Sequence, residues 1–165
     1  MLQENRADIN FDSVIVGGPF LPKELYLKYK KAVRNLPVSV KAFMPSTASL
    51  IKRSDLVVAT GGYNTITDIL GFAKRALVIP RVMHRQEQHI RAERLAELGI
   101  LEYLAPEEVT PKLLYSRIRT LLDDPSESVT NARARNLIAL DGASRLADFM
   151  GTIWESQTKL KTGRI

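Results

Sequence analysis

The sequence predicts a single three-layer α/β/α domain built on a mainly parallel sheet, and three observations predict it. Short β-branched runs alternate with stretches whose apolar residues recur at helical spacing, the pattern of successive βα units. The first and third of these runs end in glycine turns, Gly17-Gly18-Pro19 and Thr60-Gly61-Gly62, and the fourth ends in Pro80 and a polar connector. Finally, 165 residues with 45% hydrophobic content suit one domain with a real core.

Taken in order, Ser13–Val16 predicts a first strand. Pro22 suits a helix start, and Leu25, Tyr29, Ala32 and Val33 mark one face of that helix. Val38–Phe43 is a second strand, and Pro45-Ser46 opens a short helix carrying Leu50 and Ile51. Leu56–Ala59 predicts a buried third strand, after which Ile66, Ile69, Leu70 and Ala73 repeat at i, i+3, i+4, i+7. Ala76–Ile79 is the fourth strand. Arg81–Gln88 is a polar loop entering a helix whose inward face is Ala92, Leu95, Ala96 and Gly99. Ile100–Leu104 is a short strand. Thr110-Pro111 is an N-cap followed by Pro at the first helical position, with Leu114, Ile118, Leu121 and Leu122 at helical spacing beyond it. The tail after Asp124 predicts one or two further helices, including Ala143–Trp154, and a polar, frayed end with Lys159, Lys161 and Arg164. No internal repeat or linker divides the chain, so residues 1–165 are expected to form one domain, poorly ordered over 1–12 and 156–165.

Composition narrows the function. Without cysteine, disulfides and thiolate metal sites are excluded, which fits a reducing, cytoplasmic setting. No apolar run approaches the roughly 18 residues of a membrane span, and Met1–Asp12 lacks the basic and apolar segments of a signal peptide. The net charge of +6 favours anionic partners such as nucleotide diphosphates, acidic lipid headgroups or nucleic acid, and fits equally a solvated basic surface. His84 and His89 are five apart, so they do not share a helical face, and no acidic cluster supplies further ligands; no metal is expected. Aromatic residues do not interleave with Lys and Arg as a stacking surface requires, so no nucleic-acid partner is expected either.

In an open parallel sheet, ligands bind beyond the carboxyl ends of the strands. Gly17–Phe20, Thr60–Asp68 and Arg81–Gln88 occupy that edge. The Thr60–Asp68 segment, TGGYNTITD, joins a glycine turn to a helix start near Asn64 and Thr65, where free N–H groups and the helix dipole suit a phosphate. It is neither a P-loop nor a dinucleotide fingerprint. Asp68 lies opposite the apolar stripe, where its carboxylate can accept two hydrogen bonds from vicinal ribose hydroxyls; alternatively Thr65 and Asp68 form a capping box. In Arg81–Gln88, Glu87 and Gln88 suit sugar hydroxyls and Arg81 or Arg85 a diphosphate. The competing explanation is a surface ion pair between Glu87 and Arg91, worth about 0.3–0.5 kcal/mol.

At TGGYNTITD and RVMHRQEQHIRAERL the chain resembles the C-terminal, donor-binding domain of GT-B glycosyltransferases. It is similar to the peptidoglycan lipid-intermediate UDP-N-acetylglucosamine transferase family, and closest to a bacterial group of predicted glycosyltransferases. The resemblance spans roughly Val14 to Ala147. It implies a Rossmann-like half of a GT-B fold that binds a UDP-sugar without a metal or other cofactor and passes a hexosyl group to an acceptor. Asp68 would hold the ribose, while Gly61, Gly62, Asn64 and Thr65 would meet the diphosphate. Glu87 and Gln88 would contact the sugar, and the backbone at Phe43 and Met44 the base edge. Asp68 is shorter than the Glu common in the peptidoglycan enzyme, and Glu87 stands for a neutral Gln.

The family's opening strand and Gly-rich loop have no counterpart in Met1–Asp12, and its acceptor domain is absent. That implies either a fragment of a longer protein or a donor subunit working with a partner chain, inactive alone and peripheral to the inner face of the membrane. The usual acceptor-activating base would lie outside this chain, so no catalytic residue is assigned. A nucleotide-sugar 2-epimerase is the alternative on the same architecture.

Overall fold

The computed structural model describes residues 10–81, 86–124 and 138–162. Arg85 and Arg164, and the stretch Met1–Ile9, lie outside the described residues. The elements follow one another as β1 (Ser13–Val16), α1 (Lys23–Ala32), β2 (Val38–Lys41), α2 (Ala48–Arg53), β3 (Leu56–Ala59), α3 (Tyr63–Gly71), β4 (Arg75–Val78), α4 (Gln86–Glu97), β5 (Glu102–Tyr103), a 3-10 turn (Pro106–Glu108), α5 (Pro111–Asp123) and α6 (Gly142–Thr162). All strand pairs are parallel, as βα crossovers require.

The strands form two small sheets: β1 pairs with β2, and β4 lies between β3 and β5. Among the described residues nothing pairs with the second edge of β1 or of β3. Accordingly Val14, Ile15 and Val58 remain exposed, although β-branched residues of an internal parallel strand are normally covered.

β4 organises the larger sheet, and every one of its residues is buried. Side chains alternate across a strand, so Ala76 and Val78 face one helical layer and Leu77 the other. Ala76 and Val78 join Ile51, Ile66, Ile69, Ala92 and Leu95 in the main core, contributed by α2, α3 and α4. Leu77 packs with Leu104 and Leu121 under α5. Arg75 was absent from the predicted strand, since a charge disfavours a buried position. It is tolerated because its guanidinium donates to the Leu121 carbonyl, and at 2.9 Å to that of Asp124. Those carbonyls end α5, where a cation also complements the helix dipole.

The N-cap of α5 forms as its sequence predicts, Thr110 Oγ1 accepting from the Leu113 N–H at 3.2 Å. The apolar face of α1 is not covered: Leu25 and Tyr29 are exposed and the helix has no buried residue, its main packing being against the narrow two-stranded sheet through β2. α6 carries an exposed apolar stripe, Leu146, Phe149, Met150, Ile153 and Trp154. Among the described residues no helix is long and apolar enough to cross a membrane.

The core assignment has a direct consequence. Leu77→Ala should lower the unfolding free energy by about 2–5 kcal/mol, whereas Leu146→Ala on exposed α6 should change it by less than about 0.5 kcal/mol. Chemical denaturation followed by circular dichroism separates the two.

Candidate functional site at the carboxyl edge

β3 and β4 are parallel neighbours, so their carboxyl ends deliver two connectors to the same edge. The first is Thr60-Gly61-Gly62. Gly61 has φ +78, a left-handed backbone that only glycine adopts without strain. It is also crowded: a Cβ there would lie 3.0 Å from Val78 Cγ1 and 3.8 Å from Gln88 Cβ. Gly62 differs on both counts, with φ −60 and nothing within 4 Å of an added Cβ. The side facing Gly62 is open.

Gly62 is the N-cap of α3, and no side chain caps that helix. The first intrahelical bond runs from the Ile66 N–H to the Gly62 carbonyl, leaving the N–H groups of Gly62, Tyr63, Asn64 and Thr65 without an acceptor among the described residues. This corrects the proposed capping box. The helix begins before Asn64, so Thr65 is its third residue and does not occupy the cap. Asp68 therefore sits on the second turn, not the first. It is half-buried, and its carboxylate makes no hydrogen bond or ion pair among the described residues. Asn64 and Asp68, four apart, share a helical face.

The second connector returns through α4. Glu87 is exposed on the first turn, while Gln88 is only 6% exposed and packs beneath Gly61. The Arg81 N–H donates to Gln88 Oε1 at a long 3.5 Å, and His89 Nε2 meets the Arg81 carbonyl at 3.2 Å. On the other side of the ring, Tyr103 Oη lies 3.4 Å from His89 Nδ1. Burial foremost, then the carboxylates of Glu93, Glu107 and Glu108, hold the Tyr103 phenol above its ordinary pKa. A phenol kept protonated donates to Nδ1, which leaves Nε2–H to donate to Arg81.

Arg91, which the sequence paired with Glu87, points elsewhere. Its Nη1 donates to the Gly61 carbonyl at 2.9 Å, and its guanidinium lies 5.7 Å from the centroid of the Tyr63 ring. The sequence gives Arg91 only a surface pairing with Glu87, sets His89 aside as a metal ligand, and assigns Tyr63 no role. The signal present was spacing: Gln88, Arg91, Ala92 and Leu95 share one face of α4.

The structure thus brings together Gly61, Gly62, Arg81 and Gln88, with Asn64, Thr65 and Asp68 along the adjoining helix. Phe43 and Met44 follow β2 in the other sheet, Phe43 53% exposed and Met44 half-buried. No hydrogen bond or ring contact joins them to Gly61–Asp68 among the described residues. Nor, among those residues, do three or more His, Asp or Glu side chains gather as a metal site would need.

The family model of the glycosyltransferase family 28 C-terminal domain matches residues 4–148. The chain belongs to that family. A UDP-N-acetylglucosamine–N-acetylmuramyl-(pentapeptide) pyrophosphoryl-undecaprenol N-acetylglucosamine transferase of Geobacter metallireducens is 33% identical over 123 residues, covering 72% of this chain and 33% of the relative. This family 28 domain therefore spans about a third of the curated relatives it matches. Among solved structures, MurG of Acinetobacter baumannii superposes with a TM-score of 0.69 at 15% identity, covering 86% of this chain and 52% of that one. The glycosyltransferase VinC in complex with dTDP gives 0.61 at 22% identity, covering 86% and 35%. Each match covers 86% of this chain, so the architecture is that of one half of a GT-B glycosyltransferase.

The two glycines of the family 28 domain should respond unequally to a methyl group. Gly61→Ala should cost about 1–2 kcal/mol or more from its left-handed backbone and the Val78 contact. Gly62→Ala, at an N-cap with ordinary backbone and open space for the methyl group, should cost less, no more than about 1 kcal/mol, because alanine is a poorer N-cap than glycine. Thermal and chemical unfolding of the two variants decides it.

Proposed function

We propose that this family 28 domain holds the nucleoside diphosphate of an activated sugar, with UDP as the nucleotide, and presents a hexosyl group to an acceptor bound elsewhere in the whole protein. One observation carries the reading: the uncapped amino end of α3 opens at Gly62, and Asp68 stands on the same helix with its carboxylate unengaged. The two are six residues apart, about 9 Å along the axis, a separation suited to phosphates at one end and ribose hydroxyls at the other.

Each candidate then has a chemical task. The free N–H groups of Gly62, Tyr63, Asn64 and Thr65 donate to phosphate oxygens, and the Arg81 side chain adds a positive charge at the same edge. Both offset the negative charge that grows on the diphosphate as the sugar leaves, without a metal ion. Exposed Glu87 accepts hydrogen bonds from sugar hydroxyls, whereas Gln88, buried beneath Gly61 with its Oε1 accepting from the Arg81 N–H, braces the connector instead of meeting the sugar as the sequence suggested. Phe43 and Met44 meet the base. UDP is favoured over dTDP because the Geobacter relatives are named for a UDP-sugar, whereas VinC was captured with dTDP. The acceptor-activating base belongs to the remainder of the protein. An acceptor carried on undecaprenol, as in the relatives' name, would place the whole enzyme at the membrane surface.

Titration calorimetry of this chain with UDP, UDP-hexoses and dTDP tests the reading. Asp68→Ala should weaken UDP binding about tenfold through loss of charge-assisted hydrogen bonds, while stability changes by less than about 0.5 kcal/mol. Equal affinity in the variant removes Asp68 from the site. Failure of the unaltered chain to bind any nucleoside diphosphate removes the reading itself.

A further inference from the structure

We propose that Arg91 is a positioning residue of the donor site, acting on the phosphate through the Gly61–Gly62 peptide group. The inference rests on the donor-site reading above.

A peptide unit is planar and trans, so the carbonyl of Gly61 and the N–H of Gly62 point in opposite directions. Whatever fixes the one fixes the other. Arg91 Nη1 holds the Gly61 carbonyl at 2.9 Å on the side of α4, in a part-buried contact. The Gly62 N–H must then point away from the side on which Arg91 holds the carbonyl, and it has no acceptor among the described residues.

Without that hydrogen bond little would hold the plane. It lies between two glycines, whose freedom in φ and ψ makes rotation of a peptide group easy. Packing against Val78 and Gln88 constrains the Gly61 Cα, not the plane that follows it. A rotated plane would turn an oxygen toward the phosphate where an N–H is needed.

Arg91 is itself held on two sides. Its guanidinium sits 5.7 Å from the centroid of the Tyr63 ring, and Tyr63 is the first residue of α3, 70% exposed. Stacking and donation together use the planar fork of an arginine; a lysine ammonium cannot make both contacts in that geometry. The same helix braces the second connector through Gln88 and His89, so α4 sets the shape of both loops at this edge.

Calorimetry with UDP and with uridine on Arg91→Met and Arg91→Lys tests the assignment. Arg91→Met should weaken UDP binding about tenfold, leave uridine binding unchanged, and show the same loss at about 50 mM and about 500 mM salt, because the effect is geometric rather than a screened charge. Arg91→Lys keeps the charge and provides the measurement if the Met variant does not fold; it too should bind UDP several-fold more weakly. Binding of UDP by Arg91→Met within about twofold of the unaltered chain would overturn the proposal. So would full binding by Arg91→Lys, or a loss in Arg91→Met that disappears at high salt, since charge alone would then suffice. Absence of any UDP or dTDP binding by the unaltered chain overturns the donor-site reading first, and this assignment with it.

Discussion

Complete burial of β4 between two helical layers is the constraint on which the larger sheet depends. Four consecutive residues of that strand are shielded, with Ala76 and Val78 under α3 and α4 and Leu77 under α5. Such a strand cannot slip by one residue without exchanging its two faces, so its register against β3 is firmly set. That register brings Ala59 beside Val78. The backbone bond from the Ile79 N–H to the Ala59 carbonyl then carries the pairing to the very start of the two connectors. The crowding of Gly61 against Val78 follows from the same alignment, and so does the left-handed turn that opens α3.

The residues that shape the edge are not those that face the crevice. Gln88, His89 and Arg91 direct their polar atoms at backbone groups of Arg81 and Gly61. Loops cannot leave backbone donors and acceptors buried without partners, and side chains from a rigid helix are an effective way to meet that demand. Among the described residues of α3, a set of donors at its start and the Asp68 carboxylate on its second turn remain unengaged. The donor-site reading assigns the phosphates to the first and the ribose to the second.

Much of this was legible in the chain because it depends on local rules. Thr110-Pro111 predicted the start of α5, and the 3.6-residue period of Ile66, Ile69 and Leu70 predicted α3. Period and turn chemistry do not, however, say where a helix starts when glycine is the cap. Thr65 and Asp68 matched a capping box, while the structure begins α3 at Tyr63, since Gly62 accommodates the N-cap backbone without offering a side chain. Arg75 was invisible as a strand residue because its partners are carbonyls some 46 and 49 residues away. Arg91 looked like half of a surface ion pair for the same reason: its acceptor, the Gly61 carbonyl, is 30 residues distant. Long-range side-chain to backbone bonds leave no period and no motif, and two of the structure's main braces are of that kind.

The basic balance of the chain and the free N–H groups at the start of α3 act at different ranges. A net charge of +6 spread over the surface attracts anions, but at physiological salt its influence fades within about 8 Å. It therefore speeds encounter with any polyanion and distinguishes none of them. On the donor-site reading, selectivity for a nucleoside diphosphate arises at contact, from four helix-end N–H groups at hydrogen-bond distance and an acid about 9 Å away. An isolated phosphate satisfies only the first element, and a nucleoside only the second. A ligand that spans both gains from each without a second loss of translational freedom. The rigidity of the Gly61–Gly62 turn matters for that reason, because two weak contacts reinforce each other only while their spacing is held.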